Sequence, residues 1–131
     1  MILGISHITF IVKDLKRMTD FLTGIFEAKE VYSSSTVKYF FVNDLWIALN
    51  EGQQVTERTY NHVAFQIAED DIEKYTERIK CVGAEIKPSR PRVAGEGYSI
   101  YFYDFDNNLF ELHTGSLLER LAHYAQEKRI E

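Results

Sequence analysis

The sequence predicts an α+β protein built from two tandem βαβββ modules. Three observations carry this. The order strand, helix, three strands occurs twice along the chain. A histidine stands at the same place in the first strand of each copy, His7 and His62. The helical stripe Leu15, Met18, Leu22, Ile25 returns as Ile72, Tyr75, Ile79, Val82. The strands superpose at a shift of about fifty-five residues and the helices at about fifty-seven, so a two-residue insertion between strand and helix reconciles them. A repeat unit this small does not close a core alone and packs against a second copy of itself.

Each element has a local reason. Residues 4–13 put Ile8, Phe10 and Val12 on one face and Ile5, His7, Thr9 and Ile11 on the other, the period of a strand. Asp14 is an N-cap for a helix over 15–26, with Phe21 and Phe26 beside its apolar stripe. Strands follow at 28–33, 37–42 and 45–50, and Asn43-Asp44 is a hairpin signal between the last two. The polar stretch 51–59 reads as a linker. The second copy has a strand at 60–67, then a helix closed by Gly83 at the C-cap position. A strand at 84–88, a loop over 88–97 rich in Arg, Pro and Gly, and strands at 98–103 and 109–113 complete it. Residues 116–129 form a terminal helix whose stripe of Leu117, Leu118, Leu121 and Tyr124 is expected to pack on the body or on a second subunit. The expected organisation is one domain over 1–131, with module one at 1–50, the linker at 51–59, module two at 60–113 and the C-terminal helix at 116–129.

Composition narrows the function classes. The chain has 131 residues, 45% hydrophobic and 14% aromatic, enough for a substantial core. A net charge of -5 argues against a nucleic-acid partner, which needs a basic surface. No apolar run approaches the roughly 20 residues of a membrane span, and the first residues lack a signal-peptide pattern. The single cysteine, Cys81, permits no internal disulfide, which suits a cytoplasmic protein. Its place late in a helical stripe predicts a small core or boundary residue.

A histidine on an apolar strand is ordinarily structural. The repeat changes that reading, because equivalent positions in paired modules come close in space. Glu111 lies between Phe110 and Leu112, and a carboxylate there is costly to bury unless paired or metal-bound. Two imidazoles and a carboxylate suit a divalent transition metal with positions left open for substrate. His7, His62 and Glu111 are therefore the candidate metal ligands. Thr9 shares the His7 face and offers a hydroxyl to a bound oxygen. His113 shares the Glu111 face and is a candidate supporting group; His123 is expected to be solvated. The loop over 88–97 holds Arg90, Arg92 and Glu96, follows Lys87 and precedes Tyr98, Ser99 and Tyr101. It reads as a cradle for a phosphate or phosphonate.

These residues resemble the vicinal oxygen chelate superfamily, which includes glyoxalase I, extradiol dioxygenases and bleomycin-binding proteins, and within it the fosfomycin-resistance proteins. The stretches that carry the resemblance are GISHITFIVKDL at 4–15, LWIALNEG at 45–52, ERTYNHVAFQI at 57–67 and RPRVAGEGYSIYFYDFDNNLFELHTGSLLERL at 90–121. The last is the longest and is most similar to the branch that opens the epoxide of fosfomycin with water, using Mn²⁺. The resemblance implies the vicinal oxygen chelate fold and a module-swapped homodimer in which each metal site draws on both chains. It implies His7, His62 and Glu111 as metal ligands and Thr9 near the epoxide oxygen. It implies Lys87, Ser99, Tyr101 and Arg120 around the phosphonate, Trp46 against the carbon skeleton, and Arg92 where the thiol-transferase branch holds a potassium ion.

One segment departs from the water-using branch, which carries a glutamate base in the hairpin after the second strand. Here residues 33–40, SSSTVKYF, contain no acid and look several residues short. Their length resembles the branches that add glutathione or a bacillithiol-type thiol, in which a tyrosine, matched by Tyr39, sits near the thiol. The expected activity is Mn²⁺-dependent hydrolysis of fosfomycin, with thiol transfer as the alternative and non-catalytic drug binding as an alternative of another class. Glu96 is the one acid of the loop placed to act as base should that loop fold inward.

Overall fold

Two four-stranded sheets share one hydrophobic core, which the computed structural model describes for residues 1–88 and 97–130. The first sheet contains β1 (His7–Val12), β2 (Lys29–Ser33), β3 (Val37–Val42) and β4 (Leu45–Glu51), in the order β1-β4-β3-β2. The second contains β5 (His62–Gln66), β6 (Glu85–Lys87), β7 (Ser99–Tyr103) and β8 (Leu109–His113), in the order β5-β8-β7-β6. The orders are the same, and in each sheet the first and last strands of the module pair in parallel. Helix α1 (Leu15–Phe26) belongs to the first module and α2 (Ile72–Cys81) to the second. The two-residue offset falls before α2, in a single 3₁₀ turn at Glu69–Asp71 that the first module lacks.

Local chemistry sets these boundaries. The Asp14 carboxylate accepts from the Arg17 N–H at 3.1 Å and starts α1. Gly83, at φ 79°, follows the end of α2 in a conformation open to glycine. Asn43 adopts φ 51° in the β3–β4 turn. Gly24 sets the approach of the helices: a Cβ there would lie 2.7 Å from the Val82 side chain.

The core joins the modules. Phe10 of β1 lies 5.1 Å from Phe110 of β8, ring to ring. Phe21 of α1 lies 5.3 Å from Phe110 and 5.8 Å from Phe102, and Phe26 lies 4.9 Å from Phe65. The β7–β8 turn clasps the first module from outside this core. Buried Asp106 accepts from the Lys13 N–H at 2.9 Å, and the Gln54 and Asn107 side chains bond across to the Phe105 and Val55 carbonyls. Buried Asp104 holds the turn by accepting from the Asp106 and Asn108 N–H groups. Burial nevertheless raises its pKa.

One expectation meets a different outcome. Cys81 is exposed, because it ends α2 off the buried side occupied by Ile79. Of the two surfaces expected to cover the stripe of α3 (Leu117–Ile130), the body does not: Leu117, Leu118, Leu121 and Tyr124 are all exposed in the single chain, which leaves a second subunit. No described helix is long and apolar enough to cross a membrane.

Phe110 is fully buried where the modules meet. Phe110→Ala should cost about 3–5 kcal/mol in urea unfolding. A loss below about 1 kcal/mol would mean that the modules do not depend on this contact.

Candidate metal and anion site

Strand register sorts the candidate residues onto two faces. In the first sheet His7 is opposite Trp46, Thr9 opposite Ala48 and Tyr39 opposite Ala48 from the other side. Side chains alternate along a strand, so these four candidates, His7, Thr9, Tyr39 and Trp46, share the face opposite Phe10, Val12 and Ile47. In the second sheet Ala64 is opposite Glu111, Tyr101 opposite Glu111, Lys87 opposite Tyr101 and Ser99 opposite His113. His62, two residues from Ala64, falls on the same face. Lys87, Ser99, Tyr101, Glu111 and His113 are thus gathered with His62.

The second face contains the best-formed cluster. The His62 Nε2 lies 2.9 Å from Glu111 Oε1. The His62 Nδ1 lies 2.7 Å from the Tyr60 carbonyl, which can only accept, so Nδ1 carries the hydrogen. In neutral His62 the Nε2 therefore presents a lone pair to a carboxylate oxygen. Two acceptors at that distance require a cation between them, either a proton or a metal. Adjacent donors on one small divalent ion with bonds of about 2.1 Å stand about 3 Å apart, so the residues present fit such an ion. The outer hydrogen bond to a backbone carbonyl is also the usual means of fixing a metal-binding imidazole.

Behind this pair, the Ser99 hydroxyl donates to Glu111 Oε2 at 2.6 Å and lies 2.7 Å from His113 Nδ1. Beside it, Lys87 Nζ sits 4.8 Å from the Tyr60 ring centre and 5.7 Å from that of Tyr101. Among the described residues no carboxylate pairs with Lys87, so aromatic faces hold the ammonium and leave its donors for an anion. The Tyr101 and Tyr60 hydroxyls are 3.0 Å apart. Burial first, then the hydrogen bond to Tyr60, raises the Tyr101 pKa well above its ordinary 10.0 and keeps the phenol a donor. Tyr60 was not among the sequence candidates. Its signal was its place two residues before His62, on the same strand-like alternation.

The first face is organised around Trp46. Its ring packs against His7 with centres 4.1 Å apart and planes tilted by 30°, and meets Tyr39 edge-on at 5.2 Å. Thr9 is exposed beside them. No Asp or Glu stands in register with these side chains among the described residues. The β2–β3 turn is short, closed by Ser34 Oγ accepting from the Thr36 and Val37 N–H groups.

A single chain does not bring all three candidate ligands together. No three His, Cys, Asp or Glu side chains among the described residues converge as a metal set. The reason is the shared core: both sheets turn their apolar faces inward, so the His7 face and the His62–Glu111 face both point away from it. Arg120 lies in the first turns of α3, and no described side chain is hydrogen-bonded to its guanidinium. Arg92, with Arg90 and Glu96, lies outside the described residues. His123 is half-buried beside Glu127 at 3.1 Å rather than solvated.

Paired βαβββ modules with an imidazole–carboxylate pair on a sheet face define a class of small-molecule metal-site proteins. The chain belongs to the glyoxalase/bleomycin resistance protein/dioxygenase superfamily, whose profile matches residues 4–112. It is 57% identical to fosfomycin resistance protein FosX of Listeria monocytogenes, over 95% of this chain and 98% of that protein. It is 37% identical to metallothiol transferase FosB of Bacillus licheniformis, over 97% of this chain and 85% of that protein. A solved structure of a Listeria monocytogenes FosX variant, complexed with Mn(II) and 1S,2S-dihydroxypropylphosphonic acid, superposes with a TM-score of 0.90 at 61% identity. That match covers 95% of this chain and 99% of the other.

The Tyr101 environment predicts its titration. Because its pKa is raised, Tyr101 stays protonated above the ordinary tyrosine value of 10.0. In an ultraviolet titration, Tyr101→Phe should remove a component that ionises above the ordinary tyrosine value of about 10, and retention of that component in the variant would contradict this.

Proposed function

We propose that this chain is a metal-dependent enzyme that inactivates fosfomycin by opening its epoxide with water. One observation carries the reading: His62 Nε2 and Glu111 Oε1 face each other as two acceptors at 2.9 Å, a gap suited to a divalent cation. The similarity to FosX supplies the substrate class and Mn²⁺, and the diol bound in its structure is what water addition to the epoxide of fosfomycin yields.

His7, His62 and Glu111 would hold Mn²⁺, with His7 given by a second copy of the chain. The metal, when bound, supplies Lewis acidity to the oxygen freed as the epoxide opens. Lys87 and Tyr101 would direct their N–H and O–H donors at the phosphonate and fix its orientation. Arg92 and Arg120 are assigned to the same anion, and Trp46 to the carbon skeleton. Thr9, beside His7, would donate to the developing alkoxide, and Tyr39 would line the approach of the nucleophile.

The homodimer is supported by what a single chain leaves uncovered. Ile11, Tyr32 and Phe41 are exposed on or beside the first site face, and Met1, Ile2, Leu3 and Ile5 are exposed just before His7. Such apolar surface is expected to meet a partner. A second copy laid face to face would cover it and complete the ligand set.

A second reading, thiol transfer, is favoured by the short, acid-free β2–β3 turn and by Tyr39. ³¹P NMR with Mn²⁺ distinguishes the two. Fosfomycin should convert to the diol without thiol, whereas turnover only after thiol is added would replace hydrolysis by transfer. His62→Ala should lower Mn²⁺ affinity and turnover by at least tenfold. A variant with full metal content and activity would remove His62 from the ligand set.

Subunit mixing tests the shared site. His7→Ala and Glu111→Ala homodimers should each be inactive. A mixed dimer places both lesions in one site and should regain activity through one intact site. No recovery from a verified mixed dimer would overturn the division of ligands between chains.

A further inference from the structure

Hydrogen-bond directions behind Glu111 point to a role for Ser99 and His113 beyond anion binding. A carboxylate oxygen only accepts, so the 2.6 Å contact to Glu111 Oε2 uses the one proton of the Ser99 hydroxyl. With that proton given away, Ser99 Oγ can only accept from His113 Nδ1 at 2.7 Å, so His113 carries hydrogen on Nδ1. The direct distance from His113 Nδ1 to Glu111 Oε2 is 3.4 Å, too long for the main bond. The three groups form a one-way chain, His113 to Ser99 to Glu111.

We infer that Ser99 and His113 are positioning residues for the metal-binding carboxylate. The Ser99 bond fixes Oε2 and thereby turns Oε1 toward His62. His113 fixes the Ser99 hydroxyl rotor, which a serine alone leaves free. The side chains are largely enclosed, with His113 16% and Glu111 9% exposed, so water competes poorly for these bonds. Strand geometry makes the chain possible: Ser99 and His113 are directly opposed across β7 and β8, and Glu111 is two residues along the same face.

This inference rests on His62 and Glu111 being metal donors, and the experiment separates the two claims. Mn²⁺ affinity is read from the electron paramagnetic resonance signal of the free ion, and phosphonate affinity from titration with methylphosphonate. Glu111→Ala tests the donors themselves: retained Mn²⁺ affinity there would sink the metal reading. With that affinity lost in Glu111→Ala, Ser99→Ala and His113→Ala should each weaken Mn²⁺ binding about tenfold. The double variant should be little worse than either single one, because both remove the same chain. Ser99→Thr and His113→Asn retain donors and should recover much of the affinity, which also controls for misfolding. Unchanged Mn²⁺ affinity in Ser99→Ala and His113→Ala would overturn the inference, whatever their methylphosphonate binding.

Discussion

Strand alternation under a shared core is the constraint on which the rest of the molecule depends. Each sheet has one apolar face, and both apolar faces are committed to the same cluster of Phe10, Phe21, Phe102 and Phe110. Every residue of opposite parity is then forced outward. That is why His7, Thr9, Tyr39 and Trp46 gather on one surface and His62, Lys87, Ser99, Tyr101 and Glu111 on another. A register slip of one residue in β8 would bury His113 and Glu111 in the core and expose Phe110 and Leu112. The apolar residues that flank Glu111 therefore decide which way its carboxylate faces.

The fold and the ligand candidates were legible in the sequence for the same reason. Ile8, Phe10 and Val12 against His7 and Thr9 show alternation directly, and the matching helical stripes show the repeat. The hydrogen-bond chain behind Glu111 was not legible, because Ser99 and His113 are neighbours only through the antiparallel pairing of β7 with β8. Tyr60 was missed because its role lies in a carbonyl and a ring face as much as in its hydroxyl. The exposure of Cys81 shows the limit of a stripe read to its last turn: one residue past Ile79, the helix surface faces out.

The candidate anion subsite and the candidate metal pair differ in how they hold charge. Lys87 is steadied by two tyrosine faces, which attract a cation without neutralising it. A carboxylate in their place would pair with the ammonium and compete with substrate. Glu111 is held from behind by donors and faces a lone pair in front, which leaves it attractive to a cation. Opposite charges can thus be gathered a few ångströms apart on one face without cancelling each other before the ligands arrive.

Duplication supplies a symmetric frame, and one broken symmetry makes it useful. In the first module Ala48 stands in register beside Thr9 as Glu111 stands beside Ala64 in the second. A carboxylate at position 48 would face the same space as His7 and offer a fourth protein donor. With alanine there the candidate set stops at three, and an ion held by three protein donors has room for oxygen from water or substrate. Trp46, packed on His7 at 4.1 Å, occupies the place that Leu109 takes opposite His62 in the second module. It adds bulk beside the position from which the donor is missing. The repeat that places two histidines at equivalent positions therefore differs most usefully in the strand next to each one.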